Sequence, residues 1–560
     1  MPTSTYGPLH PSAPAPRATE DRSAVIVNPI LPGFNPDPSI CRVGDDYYIA
    51  TSTFEWYPGV QIHHSKDLAN WQLVRRPLDR ASQLDMRGNP DSGGIWAPCL
   101  SYADGLFWLV YTDVKRIDGS FKDTHNYIVT SPTIEGEWSD PVYANSSGFD
   151  PSLFHDDDGR KWFLNMLWNH VSPGVGGSPK HPSFAGILLQ EFDPKAGRLV
   201  GPVKNVFAGS SHGLVEGPHL FKRDGWYYLT TAEGGTGYDH AVTYARSRQI
   251  DGPYEFHPET FLVTAKDAPE AALQRAGHGQ IVDTPAGEFY HTHLTSRPLP
   301  GTRRSPLGRE TAIQKVEWGD DGWPRLAGGG LVPSLEVPAP AGAKTAAKPQ
   351  TVRHDFSTAD LPLEFQWLRS PEPERLFSLT EHPGHLRLYG RESVGSWFEQ
   401  ALVARRQEDF AFRAETELDF RPTHFQQAAG LTHYYNRHKF HFAAVTHDAR
   451  KGRVLRIMSC LGDWPESRLT FFPEEPVAVG SGPVTLAAEV DGAELQFFWR
   501  QGKSDWVPLG PSLDASLISD EAGRGEHASF TGAFVGMLAF DVAGTALPAD
   551  FAYFEYRRTT

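Results

Sequence analysis

One arrangement recurs five times in the first half of this 560-residue chain. A residue with chemical capacity is followed by a short apolar run, a tight Gly or Asp turn and an aromatic return run. The openings are Asn35-Pro36-Asp37-Pro38, Trp96-Ala97-Pro98, Phe149-Asp150-Pro151, Val215-Glu216-Gly217 and Gly277-His278-Gly279. The turns are Asp45-Asp46, Asp104-Gly105, Asp158-Gly159, Asp224-Gly225 and Gly287-Glu288. A spacing of roughly 60 residues lies close to the period range of propeller blades. Units held in one structural phase and closed into a ring would bring Asp37, Trp96, Asp150, Glu216 and His278 to a common mouth.

Length alone predicts two or three domains. From 25 to 336, aromatic and β-branched runs alternate with hairpin turns and little helical periodicity, which predicts a five-bladed β-propeller. Residues 337–350 lie in a Pro- and Ala-rich stretch and read as a linker. Residues 351–560 read as a β-sandwich, so the fold class is all-β. Within Phe410 to Phe420, Phe412, Ala414, Thr416 and Leu418 share a face, and Arg413, Glu415, Glu417 and Asp419 take the other, as in a half-buried antiparallel strand. Hairpins are expected to turn near Asn436-Arg437 and Gln501-Gly502, with Trp499 and Trp506 in the core. Residues 1–24 read as a loose tail.

A formal charge of −16 argues against nucleic acid or an anionic membrane as partner, since both need a basic face. The first 24 residues lack the apolar core of a secretory signal, and no run approaches the roughly 20 apolar residues of a membrane helix, so the expected location is cytoplasmic. Cys41, Cys99 and Cys460 are too few and too scattered for a disulfide framework or a zinc site, and are expected as free thiols. The sequon Asn145-Ser146-Ser147 is then idle.

Three acids at one mouth suit hydrolysis of a glycosidic bond, which needs one carboxyl to protonate the leaving oxygen and another to activate water or attack. Asp37 lies between two stiffening prolines, a pattern that alone is a turn, but Asp150-Pro151 repeats it at the same phase. Glu216 follows Leu214-Val215 and precedes Gly217-Pro218, so partial desolvation should raise its pKa, as a general acid needs. Glycines on both sides of His278 leave room for a ligand or ion. Arg309 offers a fixed fork to sugar hydroxyls or balances the acids. Rival motifs lack their frames. Gly209 to Gly213 matches a nucleophile elbow without its strand and helix, the His63-His64 and His291-Thr292-His293 pairs lack further zinc ligands, and Gly234 to Gly237 lacks a P-loop lysine.

These motifs carry a resemblance. NPILPGFNPDPSI (28–40), STFEWYPGVQIHHSKDL (52–68), GIWAP (94–98), FDPSLFHDDDGRKW (149–162), VEGPHL (215–220), GHGQ (277–280) and PLGRETAIQ (306–314) resemble glycoside hydrolase family 43. The likeness is to its two-domain β-xylosidase and α-L-arabinofuranosidase branch and runs from about Val27 to the C-terminus. It implies a propeller bearing the active site, a C-terminal sandwich and inversion at the anomeric carbon. It also implies Asp37 as general base, Glu216 as general acid and Asp150 as the third acid, which positions substrate and keeps Glu216 protonated by like-charge repulsion. Phe54, Trp96, His278 and Arg309 resemble pocket residues, and Phe530 is the candidate for an aromatic sent in from the sandwich. No cofactor is required for this chemistry, although some relatives hold a structural calcium near the His278 position. Relatives of the branch often form homo-oligomers.

The expectation is therefore an exo-acting enzyme that releases xylose from short β-1,4-xylooligosaccharides, with side activity on arabinosyl-substituted sugars. A dedicated α-L-arabinofuranosidase or an endo-arabinanase is the alternative within the class. A non-catalytic sugar-binding propeller is the alternative outside it, and intact Asp37 and Glu216 weigh against that.

Overall fold

The structure is a computed structural model that describes residues 24–117, 120–171, 183–343, 349–523 and 529–559. The expected tail lies outside the described residues except for Ala24.

Five antiparallel sheets form the propeller. The first blade is built from Ser39–Val43, Asp46–Thr51, Gln61–Ser65 and Gln72–Arg75. The innermost strands of the next three are Gly94–Ala103, Ser152–His155 and Glu216–Arg223, and Gln274–Gly277 starts the fifth. Each of the five candidate residues thus sits in, or within two positions of, the strand that lines the axis. The hairpin signals act as expected. Asp104 and Gly105 have φ of 56° and 77°, and Asp224 and Gly225 have 51° and 72°. These left-handed pairs give the turn whose twist matches that of the strands they join.

The ring closes between the first and fifth blades. Gln280 Oε1 accepts from Ser39 Oγ at 2.9 Å and from the Ile40 amide at 3.1 Å. Val25–Val27 pairs with Glu336–Pro338, so part of the stretch read as linker is a strand that fastens the chain's start to the end of the propeller.

The sandwich is built on two eight-stranded sheets, one of which takes its eighth strand from the propeller. Ala411–Asp419 buries Phe412, Ala414, Thr416 and Leu418 completely, as its alternation predicts. The hairpins 427–448 and 494–514 form as expected. Trp499 packs against the core, but Trp506 does not enter it. It lies half-buried between Arg413 and Arg500, whose guanidinium carbons are 4.3 and 4.4 Å from its ring centre.

Sequence periodicity did not expose how the domains join. Trp56–Tyr57, from the first blade's connecting loop, extends a sandwich sheet by pairing with Phe365–Leu368. Trp56 is fully buried and stacks on Phe534 at 3.7 Å. Such a pair is worth about 0.5–1.5 kcal/mol beyond its buried area. One apolar core runs from Val60 and Ile62 of the propeller to Leu486 and Phe554 of the sandwich, which holds the sandwich in register with the propeller mouth.

Candidate active site

A pocket of about 440 Å³ opens at the propeller axis, and Asp37, Phe54, Trp96, Asp150, Glu216, His278, Arg309 and Phe530 all line it. Several of these residues hold backbone conformations that L-residues avoid. Asp37, Phe54, Asp150 and His278 have φ of 56°, 52°, 54° and 51°, and Ala97, next to Trp96, has 33°. Each such residue costs on the order of 1–3 kcal/mol, and strain of this kind persists where the surroundings fix a functional geometry.

Asp37 is buried and held by two donors. Arg309 Nη1 donates to Oδ1 at 2.9 Å, and Ser52 Oγ donates to Oδ2 at 2.6 Å. Ser52 Oγ also accepts from the Ala97 amide at 2.8 Å, tying the first acid to the second blade. The sequence reading passed over Ser52, although it opens one of the motifs. Arg309 does not go to solvent: its second arm, Nη2, donates to the Phe530 carbonyl at 3.0 Å.

Glu216 has a different environment. Burial pushes its carboxyl up to about 8, the Asp37 charge adds to this, and Arg309 and Lys122 oppose it. The rise and its leading cause match the sequence argument. Asp37 is the like charge that adds to this, and Asp150 and Glu216 repel one another as well, since the charge on either opposes ionisation of the other. Asp150 is itself raised well above the carboxylate range, by burial first and then by Glu216 and Asp37. Its Oδ2 accepts from the Gly217 amide at 3.1 Å, which couples Asp150 to the backbone next to Glu216.

His278 Nδ1 lies 3.8 Å from Asp37 Oδ1, and burial lowers its pKa, so the ring is neutral. Its neighbouring glycines serve packing rather than ligand access. A Cβ on Gly277 would meet the His240 ring at 2.5 Å, and one on Gly279 would meet the Thr292 carbonyl at 1.8 Å. Gly217 is needed too, because a Cβ there would lie 2.9 Å from the His278 ring.

Calcium takes six to eight oxygen ligands. His278 instead faces the imidazole of His219, with ring centres 6.0 Å apart, and its one near carboxylate is already engaged by Arg309 and Ser52. Among the described residues no three His, Cys, Asp or Glu side chains are grouped to hold a metal. This donor set does not fit calcium.

An aromatic wall completes the pocket. Phe530 meets Trp96 edge-on at 5.7 Å and Phe54 at 6.3 Å, and Trp96 meets Phe149 at 5.3 Å. Trp96 Nε1 donates to the Ser92 carbonyl, and the Phe530 amide donates to Ser92 Oγ. Lys122, Ile117 and Phe184 also line the pocket and carried no motif signal, while Leu214, read as an apolar neighbour of Glu216, lines it as well. Such a site offers a neutral acid, a carboxylate held by donors, and flat apolar faces for a sugar ring.

Comparison with known proteins agrees with this geometry. The profile of Glycosyl hydrolases family 43 matches residues 26–324, and that of the Beta xylosidase C-terminal Concanavalin A-like domain matches residues 353–557. The chain is 61% identical over 535 residues to Xylosidase/arabinosidase 43B of Humicola insolens, covering 95% of this chain and 97% of that protein. It is 50% identical over 546 residues to a Beta-xylosidase of Bacillus subtilis, covering 95% and 99%. The crystal structure of xylan beta-1,4-xylosidase from Bacillus halodurans C-125 superposes with a TM-score of 0.91 at 51% identity, covering 95% of this chain and all of that one. The chain belongs to glycosyl hydrolases family 43, with the propeller and concanavalin A-like sandwich that these matches describe.

Proposed function

We propose that the protein is an exo-acting, inverting glycosidase that releases xylose from the non-reducing ends of short β-1,4-xylooligosaccharides, with side activity on α-L-arabinofuranosides. The observation that carries this reading is the contrast between two acids at one mouth. Glu216 keeps its proton up to about pH 8, while Asp37 is clasped by Arg309 and Ser52.

In the reaction, Asp37 takes a proton from water as the water oxygen bonds to the anomeric carbon. The bond from that carbon to the glycosidic oxygen breaks, its electron pair stays on the oxygen, and Glu216 supplies the proton that the oxygen needs. Asp37 ends protonated and Glu216 ionised, and exchange with solvent resets both. Asp150, tied to the Gly217 amide, positions Glu216 and the sugar. The aromatic wall capped by Phe530 leaves a pocket rather than a through-going groove, which favours removal of end residues over internal cleavage.

Proton NMR of the first product from a β-xyloside tests the mechanism. Inversion gives α-xylose before mutarotation, and β-xylose formed first would overturn it. Initial rates on matched xylosyl and arabinofuranosyl substrates test the sugar preference. The dual name of the Humicola insolens relative favours activity on both. Action on short oligosaccharides suits a cytoplasmic enzyme, and no described helix is long and apolar enough to cross a membrane. Cell fractionation tests the location, and sedimentation tests self-association.

A further inference from the structure

A second cavity, of about 260 Å³, lies between the first blade and the sandwich, away from the acids. Four arginines line it: Arg76 of the propeller, and Arg405, Arg406 and Arg558 of the sandwich. The carboxylates among the lining are Glu364 and Glu408. Glu408 is taken by Arg405 Nη2 at 3.4 Å and Arg558 Nη2 at 3.0 Å, and Asp409 also lies 3.0 Å from Arg558 Nε.

Among the described residues no carboxylate contacts Arg76 or Arg406, although they are only 4% and 5% exposed. Arg76 donates to Gln61 Oε1 and the Phe365 carbonyl. Arg406 donates to the Phe34 carbonyl at 2.6 Å and to Gln366 Oε1 at 2.5 Å. All of these acceptors are neutral. Among the described residues, Arg406 Nη2, together with Nε and Nη1 of Arg405, has no hydrogen-bond acceptor. Arg405 lies over the Tyr556 ring at 4.3 Å, and Arg406 lies near the Phe34 and Phe534 rings. These faces steady the guanidinium planes without offering a lone pair. Burial and then the Arg406 charge destabilise the Arg76 cation, and Glu364 offsets this in part.

Buried charges are tolerated when paired, and guanidinium forks match the oxygens of phosphate and carboxylate. We propose that this cavity binds a small oxyanion of the inorganic phosphate class, which accepts from Arg405 and Arg406 and offsets the buried Arg76 and Arg406 charges where the propeller meets the sandwich. The opposing charge is Glu364. Although burial pushes its carboxyl up, His354 and backbone contacts hold it at about 2, so it stays ionised and limits affinity.

Calorimetric titration with sodium phosphate, at ionic strength matched with sodium chloride, tests the site. Saturable binding is expected in the unmodified protein. Arg405→Gln should weaken it about tenfold or more, the usual cost of losing a charge-assisted hydrogen bond, and Glu364→Gln should tighten it. The Glu364→Gln comparison also serves if Arg405→Gln does not fold. No saturable binding above chloride would overturn the proposal, as would binding that neither substitution changes, since that phosphate would lie elsewhere.

Discussion

Arg309 reaches across the domain boundary to the carbonyl of Phe530, 3.0 Å from its Nη2, with the arm opposite the one that holds Asp37. The sandwich is therefore part of the pocket, and its loop 529–532 is fixed to the same guanidinium as the proposed base. Because that bond is to the backbone, Phe530→Ala should keep the loop in place and remove only the ring. Full burial of such a ring is worth about 1.5–3 kcal/mol, so kcat/KM should fall about tenfold or more while circular dichroism stays unchanged. Unaltered kcat/KM would mean that the sugar does not use this wall.

The pH profile should report the two acids differently. With Glu216 at about 8, kcat/KM should decline above that pH as the acid ionises. Lys122 lowers this value, so Lys122→Met should carry the alkaline limb to higher pH. The Glu216 charge is among the causes that raise Asp150, so the charge on either acid opposes ionisation of the other and the two titrate as a pair. Asp150→Asn removes that repulsion and should cut the rate while carrying the alkaline limb to lower pH. A limb that stays in place in Asp150→Asn while activity falls would leave Asp150 a positioning role only.

Keeping Glu216 neutral should cost stability. A carboxyl that titrates at about 8 in the fold and near its ordinary 4.5 in the unfolded chain binds more protons when folded. Stability therefore falls as pH rises from about 4.5 through about 8, by on the order of 3 kcal/mol at pH 7. Glu216→Gln should raise the melting temperature at pH 7 and gain little at pH 4. Equal effects at both pH values would contradict the assigned shift.

The donors around His278 do not suit a hard cation, so prolonged treatment with EDTA followed by gel filtration should leave kcat/KM unchanged. Loss of activity that calcium restores would show a metal held by other groups.

The propeller and its mouth were legible in the sequence because the same phase recurs in every blade: Asp37, Trp96, Asp150, Glu216 and His278 each mark an axial strand. The Phe412 to Leu418 alternation was legible for the same reason, since a strand repeats every two residues. Lys122 was not singled out because Glu216, on which its charge acts, is brought close only by the ring, whereas Ser52 faces Asp37 across the first hairpin and was passed over inside a motif. Trp56–Tyr57 gave no sign of joining the sandwich, since its partner Phe365–Leu368 lies some 300 residues away in the chain and pairing at that distance has no local pattern. Glycines around His278 were misread as room for a ligand because His240 and Thr292, which fill that space, are invisible until the blades close.

The central claim is that Glu216 is the acid and Asp37 the base, and their dependence on the leaving group tests it most directly. Only the acid assists departure: a nitrophenolate leaves readily without a proton, whereas the sugar alkoxide of xylobiose does not. Rates of Glu216→Gln and Asp37→Asn should be measured on nitrophenyl β-xyloside and on xylobiose. The account predicts that Glu216→Gln keeps far more of its activity on the nitrophenyl substrate, while Asp37→Asn is crippled on both. Equal losses for Glu216→Gln on the two substrates, or a leaving-group-sensitive Asp37→Asn, would contradict it.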